Sequence, residues 1–485
     1  MYVLGLDLGT QGARAMIVDL AGRVRAEAER AFDARPDATL PAGYFEQDPA
    51  RWREAVLAVL AEAVARLRAA GEPAEAIAAL SATSTSGTLC LVDAAGEPVG
   101  PAIMYSDTRA DAEGRDAQAA GAETAARLGL GFNASFALCK ALWVQRYQPE
   151  RLARARWLLS PTDAVIGWLS GEWGISDWTN MLKTGYDVAE LRWPAFIGDA
   201  LGLPAEKLPR VVAPGEVVGQ VSATAAAATG LAPGTRVVAG ATDGTASQLA
   251  SGAVAPGDWN STLGTTLVLK GVSERLLCDP LGRLYSHRHP DGYWLPGGAS
   301  STGADCIAQR FDAVRLPALD EGALAADPTE LILYPLARRG ERFPFLQPEA
   351  AGFQLGEAAD ETTLFAAHLE GLAYVERLAY EVIQGLGAPV GETIYVAGGA
   401  VRGRAALQIR ADVLGRRLQV PEVPAGAMGA AILAARAVGF GRVADAARAM
   451  VRPSREVLPR RERRAAYDVR YGRFLAACRE RGYLP

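Results

Sequence analysis

The chain has 485 residues, half of them hydrophobic and 22% charged, with a net charge of -5, which is an ordinary globular balance long enough for two large domains. That charge excludes a nucleic-acid binder working by general electrostatics, and five scattered cysteines with three histidines exclude a CxxC metal site, a disulfide framework and a histidine triad. No apolar run approaches the ~20 residues of a membrane span and no signal-peptide pattern opens the chain, so a cytoplasmic protein with no membrane or nucleic-acid partner is expected.

Residues 2–7 read as a strand, 9–12 as a tight turn and 13–19 as the return strand of a β-hairpin, carrying β-branched Ile17 and Val18. Glycines in such a turn let backbone N–H groups point outward together as an anion nest. Asp7 at its edge has the chemistry to hold Mg²⁺, and a structural hairpin with one solvated Asp is the alternative. A third strand is expected over 23–31. Asp48, Pro49 and the spacing of Trp52, Val56, Val59, Leu60, Ala63, Val64 and Leu67 predict a helix closed by Gly71. Residues 77–80 and 89–92 read as strands around the hydroxyl-rich stretch 81–88, which suits either a polyhydroxylated ligand or an irregular Ser/Thr loop. Asp107 follows a strand at 101–105, where α/β folds place substrate groups and where a helix N-cap would equally sit.

Residues 110–193 read as helical and irregular, with Ser176 to Asn180 as a polar wall for a ligand. A strand at 235–239 runs into Asp243 at the corner of a small-residue helix. A helix N-terminus favours the ionised carboxylate, able to accept a proton from a substrate hydroxyl, and N-capping is the structural alternative. Residues 259–269 then repeat the opening: strand, a Gly264-Thr265-Thr266 turn, return strand, which implies a duplicated architecture with a phosphate loop in each half. A strand at 393–396 leads into Gly398 and Gly399, which allow close backbone approach to a flat or anionic ligand, and a helix is expected at 405–414. Small residues from Gly426 begin a helix suited to packing around a nucleotide, and the Arg-rich stretch 452–464 reads as solvated surface.

Four segments in this order resemble the motifs of the FGGY carbohydrate kinases of the actin, Hsp70 and sugar-kinase superfamily, over essentially the whole chain. They are Gly5-Leu6-Asp7-Leu8-Gly9-Thr10, Ala241-Thr242-Asp243-Gly244, Ser261-Thr262-Leu263-Gly264-Thr265 and Ala397-Gly398-Gly399-Ala400. The resemblance implies an α/β fold of two ribonuclease-H-like domains, 1–242 and 243–485, with ATP in a central interdomain cleft. It also implies Asp243 as general base and Asp7 as the Mg²⁺ ligand. Thr10, Gln11, Gly12, Gly264, Thr265 and Thr266 would surround the phosphates, with Gly398, Gly399 and Arg402 at the adenosine, and Ser84, Ser86, Asp107 and Asp243 on the sugar. Where xylulokinases carry a Met-His-Gln-like stretch, this chain has Thr83-Ser84-Thr85-Ser86-Gly87-Thr88. With residues 177–187 and Gly340-Glu341-Arg342-Phe343-Pro344, that stretch is similar to the xylulokinase-like branch acting on D-ribulose. The implied reaction is ATP-dependent phosphorylation of a ketopentose, D-ribulose to D-ribulose 5-phosphate. D-xylulose or another polyol is the alternative acceptor, and an actin-like or Hsp70-like ATPase switch is the rival outside the class. The implied partners are a small-molecule sugar and ATP, with assembly into a homodimer left open.

Overall fold

Every element of the opening stretch forms where its residues dictate. In the computed structural model, which describes residues 1–34 and 37–484, strand β1 (Tyr2–Leu8) pairs antiparallel with β2 (Gly12–Asp19), and β2 with β3 (Val24–Ala31). Helix α1 (Pro49–Ala69) follows, with the Asp48 carboxylate accepting the Ala50 N–H and Pro49 in the first turn. Its apolar stripe, from Trp52 to Leu67, is buried on β2 and β3. Strand β4 (Ile77–Ser84) adds parallel to β1, so Ser81 to Ser84 belong to a buried strand rather than to a loop. The ladder takes up their backbone groups on both sides. The short helix α2 (Trp178–Met181) precedes β5 (Val217–Gln220) and β6 (Arg236–Thr242), and α3 (Asp243–Ser251) starts directly after β6. The strand order is β5-β6-β4-β1-β2-β3.

The second sheet repeats this plan. β7 (Trp259–Leu263) and β8 (Leu267–Gly271) form a hairpin, and β9 (Trp294–Ala299) extends it antiparallel. β10 (Thr393–Ala397) and β11 (Arg417–Pro421) then join β7 in parallel, with β12 (Pro453–Val457) antiparallel beyond them. The segments β3-β2-β1-β4-β6 and β9-β8-β7-β10-β11 therefore share one order, a three-stranded meander followed by two parallel strands. That is a ribonuclease-H-like α/β plan, present twice. Helices α4 (Glu361–Gly385) and α5 (Arg404–Leu414) cover the second sheet's core. The fully buried Arg410 ties them to β7, pairing with Glu376 at 2.7 Å and donating to Ser261 Oγ at 2.9 Å.

Two compact units interleave along the chain, in contrast to an expected division at 242/243. Unit 1 comprises Met1–Gly252, His287–Tyr293 and Val423–Arg452, and unit 2 comprises Ala253–Ser286, Trp294–Glu422 and Pro453–Pro485. Helix α6 (Gly426–Arg436) thus lies in unit 1. A Cβ on Gly5 would stand 1.8 Å from Ala427 O, and one on Gly429 2.0 Å from Ala246 O. The small residues expected around a nucleotide therefore serve close packing of α6 on β1 and α3, since only a chain without Cβ atoms permits that approach. The Arg-rich stretch is likewise more than solvated surface: Arg460 donates to Asp412 at 2.8 Å, Arg463 to Ala326 O at 2.5 Å and Arg464 to Val413 O at 3.1 Å. Among the described residues, no helix is long and apolar enough to cross a membrane.

Candidate active site

Register assembles the first part of the site. Leu8 pairs with Ser84 and Ser84 with Thr242, so the parallel strands β1, β4 and β6 end level with one another in unit 1. Asp7 stands one residue before that line and Asp243 one residue after it, in the first turn of α3. Such strand ends are where α/β sheets present chemistry. Burial and the neighbouring Asp243 charge raise the Asp7 pKa to about 6, against the opposing pull of Arg14. Asp243 accepts the Gly244 N–H at 2.6 Å, and the helix N-terminus favours its ionised form. Two carboxylates that repel at strand ends make a place for a cation and for a proton in transit.

The expected sugar contacts divide sharply. Ser84 is fully buried and shares a 2.6 Å hydrogen bond with Thr162. Asp107 is 1% exposed, and its carboxylate accepts from Phe45 N at 2.6 Å, from Arg109 N at 2.9 Å and from the Arg109 guanidinium at 2.7 to 3.0 Å. Glu46 holds the same guanidinium at 2.6 Å and the Tyr44 ring covers it at 4.0 Å. The Asp107 carboxylate is thus taken up by several protein donors, and Ser84 is buried in its bond to Thr162, so both expected sugar contacts are engaged inside the protein. Ser86 differs: its buried hydroxyl has no partner among the described residues. Ser176 to Asn180, expected as a polar wall, are buried, and part of the segment serves the fold. Asp177 caps α2 by accepting from Thr179 and Asn180, and Thr179 Oγ1, itself donating to Asp177 at 2.5 Å, accepts the Thr242 N–H at 3.0 Å. This relay holds the end of β6 just before Asp243. Lys183 was not singled out from sequence. It sits in the turn after α2, half-buried beside Gly87, and burial lowers its pKa against the Asp243 charge. A lone lysine in an irregular segment carries no periodic signal, which is why only the folded chain reveals it.

The two hairpins use the same device. Gly9 N–H donates to Gly12 O at 2.9 Å and Gly264 N–H to Thr266 O at 3.0 Å. Within the described residues no hydrogen bond takes up the N–H groups of Thr10 and Gln11 in the first turn, or of Thr265 and Thr266 in the second. Adjacent open amides of this kind suit anionic oxygens. Gln47 donates to Thr10 O at 2.9 Å and steadies the first turn. Gly12 is demanded by packing, since a Cβ there would lie 2.5 Å from Arg30 O. In unit 2, Gly398 has a φ of 92°, and a Cβ on it would meet Leu263 O at 2.5 Å, which brings the 398–402 turn against the base of the second hairpin. Gly399 faces open space and the Arg402 side chain is exposed.

Comparison with known proteins decides the family. The N-terminal domain model of the FGGY family of carbohydrate kinases matches residues 2–250, and its C-terminal domain model matches residues 259–438. The chain belongs to the FGGY family of carbohydrate kinases. It is 31% identical to the xylulose kinase of Streptomyces rubiginosus, with 96% of this chain and 92% of that one aligned. It is 29% identical to the glycerol kinase of Klebsiella pneumoniae strain 342, over 92% of this chain and 90% of that one. The crystal structure of xylulose kinase from Rhodospirillum rubrum superposes with a TM-score of 0.86 at 28% identity, covering 99% of both chains. As an FGGY kinase, this protein is an ATP-dependent carbohydrate kinase of the xylulokinase-like branch, with a sugar and ATP as substrates.

Proposed function

We propose that this kinase transfers phosphate from ATP to the terminal primary hydroxyl of a ketopentose, converting D-ribulose to D-ribulose 5-phosphate. The observation that carries the proposal is the placement of Asp7 and Asp243 at level strand ends, with a Ser86 hydroxyl two residues beyond the end of β4 that has no partner among the described residues. In this reading Asp243 accepts the hydroxyl proton as the bond to phosphorus forms. Phosphoryl transfer passes through a loose, highly charged transition state, so the protein's remaining task is alignment and charge stabilisation.

Asp7 suits a Mg²⁺ ion: its carboxylate is strained by a like charge, and a cation relieves that strain. Mg²⁺ characteristically takes one or two carboxylates plus water and phosphate oxygens, a demand that a single aspartate at a strand end can meet. When bound, the ion supplies charge neutralisation for the phosphates. The open amides around Thr10, Gln11 and Gly12, and those around Gly264, Thr265 and Thr266, are assigned to phosphate oxygens. Gly398, Gly399 and Arg402 are assigned to the adenosine. On the acceptor side Ser86 and Asp243 remain, with Ser84 and Asp107 anchoring the surrounding backbone.

D-ribulose is favoured by the hydroxyl-rich stretch from Thr83 to Thr88, which lacks the bulky polar side chains of the Met-His-Gln-like pattern. D-xylulose is the second reading, favoured by the names of the aligned relatives. A coupled ADP-release screen over D-ribulose, D-xylulose, L-ribulose, L-xylulose and glycerol decides between them. We expect kcat/KM for D-ribulose to exceed the others by at least about tenfold, or about 1.4 kcal/mol in the barrier. A preference for D-xylulose replaces the acceptor, and turnover with none of the ketopentoses overturns the proposal.

A further inference from the structure

Strand β10 runs into the 398–402 turn assigned to the adenosine, and helix α5 runs out of it. Followed away from that turn, the 5 residues of β10 and the 11 of α5 each span about 16 Å. Their far ends, Glu392 just before β10 and Leu414 closing α5, line one cavity of about 670 Å³ within unit 2. It lies at the edge of the sheet opposite to the strand ends that present chemistry. The Arg-rich stretch faces this cavity: Arg460, Arg461 and Arg464 line it together with Arg416 and Arg417, against the carboxylates of Asp412 and Glu392. Asp412 is taken up by Arg460, which donates from N at 2.7 Å and from Nε at 2.8 Å, and Glu456 holds Arg417 at 2.9 Å. Arg416 uses Nη1 on Val390 O at 3.0 Å and on Gly391 O. Arg464 uses Nη1 on Val413 O at 3.1 Å and Nε on Asp468 at 3.1 Å. Arg461 is exposed and makes no hydrogen bond or ion pair among the described residues.

Two of these cations are pressed together. Gly415 has a φ of 64°, and a Cβ on it would lie 2.2 Å from Arg464 Nη1, so the Arg464 guanidinium rests on bare backbone next to Arg416. Burial lowers the Arg416 pKa and the Arg464 charge lowers it further, against the pull of Tyr380 and Glu392. A cation at the last carbonyls of a helix serves the fold, which accounts for Arg464 on Val413 O. It does not account for Arg461, which meets neither a carbonyl nor a carboxylate. Guanidinium forks match phosphate oxygens bidentately, and Leu414, Leu458 and Pro459 set an apolar wall beside them. We propose that this cavity binds a phosphate-bearing small molecule through Arg416, Arg461 and Arg464, as a second anion site in addition to the phosphate hairpins. Its volume is that of a small-molecule pocket, so an organic phosphate fits as well as a free one. The proposal is independent of which sugar the kinase phosphorylates.

Calorimetry on the full chain, with a non-hydrolysable ATP analogue and Mg²⁺ saturating, tests this with inorganic phosphate, pyrophosphate and ribose 5-phosphate as separate probes. At least one is expected to bind at one site per chain with Kd below about 1 mM, and the tightest of the three identifies the source as free phosphate, polyphosphate or sugar phosphate. Arg461→Glu is expected to weaken that binding at least about tenfold, because a charge-assisted hydrogen bond is lost and a like charge replaces it. Its turnover stays within about twofold of wild type, since Arg461 touches no part of the catalytic machinery. The wild type gives a second measurement: phenylglyoxal modification of arginines, mapped by mass spectrometry. The bound probe is expected to slow modification of Arg461 at least about fivefold, with exposed Arg30 unchanged. Binding of none of the probes, loss of binding when the ATP analogue is added, affinity in Arg461→Glu within about twofold of wild type, or Arg461 modification indifferent to the probe overturns the proposal.

Discussion

Asp7 and Asp243 do opposite things for this protein at rest and at work. The folded chain holds Asp7 at a pKa of about 6, above its ordinary 3.8, by burial and by the Asp243 charge. A raised carboxylate contributes stability that is complete below about pH 4 and lost as pH rises through about 6. Asp7→Asn should therefore stabilise the ligand-free protein by about 1 to 3 kcal/mol at pH 7.5, with the gain vanishing near pH 4.5, while Mg²⁺-dependent turnover collapses. Urea unfolding at the two pH values checks this, and an Asn variant less stable at pH 7.5 would show that the like-charge strain is absent. Asp243→Asn should lower single-turnover phosphorylation at least about 100-fold, and a loss under about tenfold sinks the base assignment. Both aspartates were legible in the sequence because each is fixed by a short local pattern of strand and turn. Ser84 and Asp107 looked equally good on those terms. Their occupation by Thr162, Phe45 and the Glu46-bound Arg109 depends on partners up to 78 positions distant, which no local pattern encodes.

At the scale of elements, the second hairpin depends on a carboxylate far from it in sequence. Glu341, 2% exposed, accepts from Ser300 Oγ at 2.9 Å, Thr302 Oγ1 and Tyr334 Oη at 2.7 Å each, Ser301 N at 2.5 Å and Arg342 N at 2.9 Å. The segment it clasps supports the hairpin directly, through Leu267 N to Thr302 O at 2.9 Å and Ala304 N to Gly264 O at 2.7 Å. Glu341→Gln replaces one acceptor oxygen by a donor amide facing hydroxyl and N–H donors, a loss of roughly 2 to 4 kcal/mol. Its expected signature is a lower melting temperature with affinity for an ATP analogue falling more than affinity for the sugar. Equal weakening of both ligands would mean that Glu341 supports the fold without steering the hairpin. From sequence, Gly340 to Pro344 marked only a resemblance. Its physical use emerged when the 300–304 turn and the short strand Ile332–Tyr334 were brought around it.

For the whole molecule, burial sets the pH profile of stability. Burial, the largest influence on each, raises Asp7 to about 6 and Asp163 and Glu370 to about 7. All three contribute stability present below about pH 4 and lost as pH climbs to about 7. His289, lowered to about 4 by burial, opposes them, since its contribution is lost as pH falls from 6.5 towards 4. Lys140, lowered to about 7 by burial, adds slope only above that value. Asp177 is likewise raised and His368 likewise lowered by burial, and four carboxylates against two histidines give a urea midpoint higher at pH 5 than at pH 7.5; a midpoint rising over that interval would refute the balance. The sequence alone determined the two hairpins, α1 with its Asp48 cap, and the two strand-end aspartates, because strand alternation, glycine turns and caps act over a few residues. Tertiary structure alone decided that the segment from Val423 to Arg452 returns to unit 1, that Ser84 and Asp107 are hydrogen-bonded while the Ser86 hydroxyl has no partner among the described residues, and that Lys183 lies across Gly87. Those outcomes depend on which distant groups use up a side chain's hydrogen-bonding capacity and on how closely two backbones approach, quantities that exist only once the chain has folded.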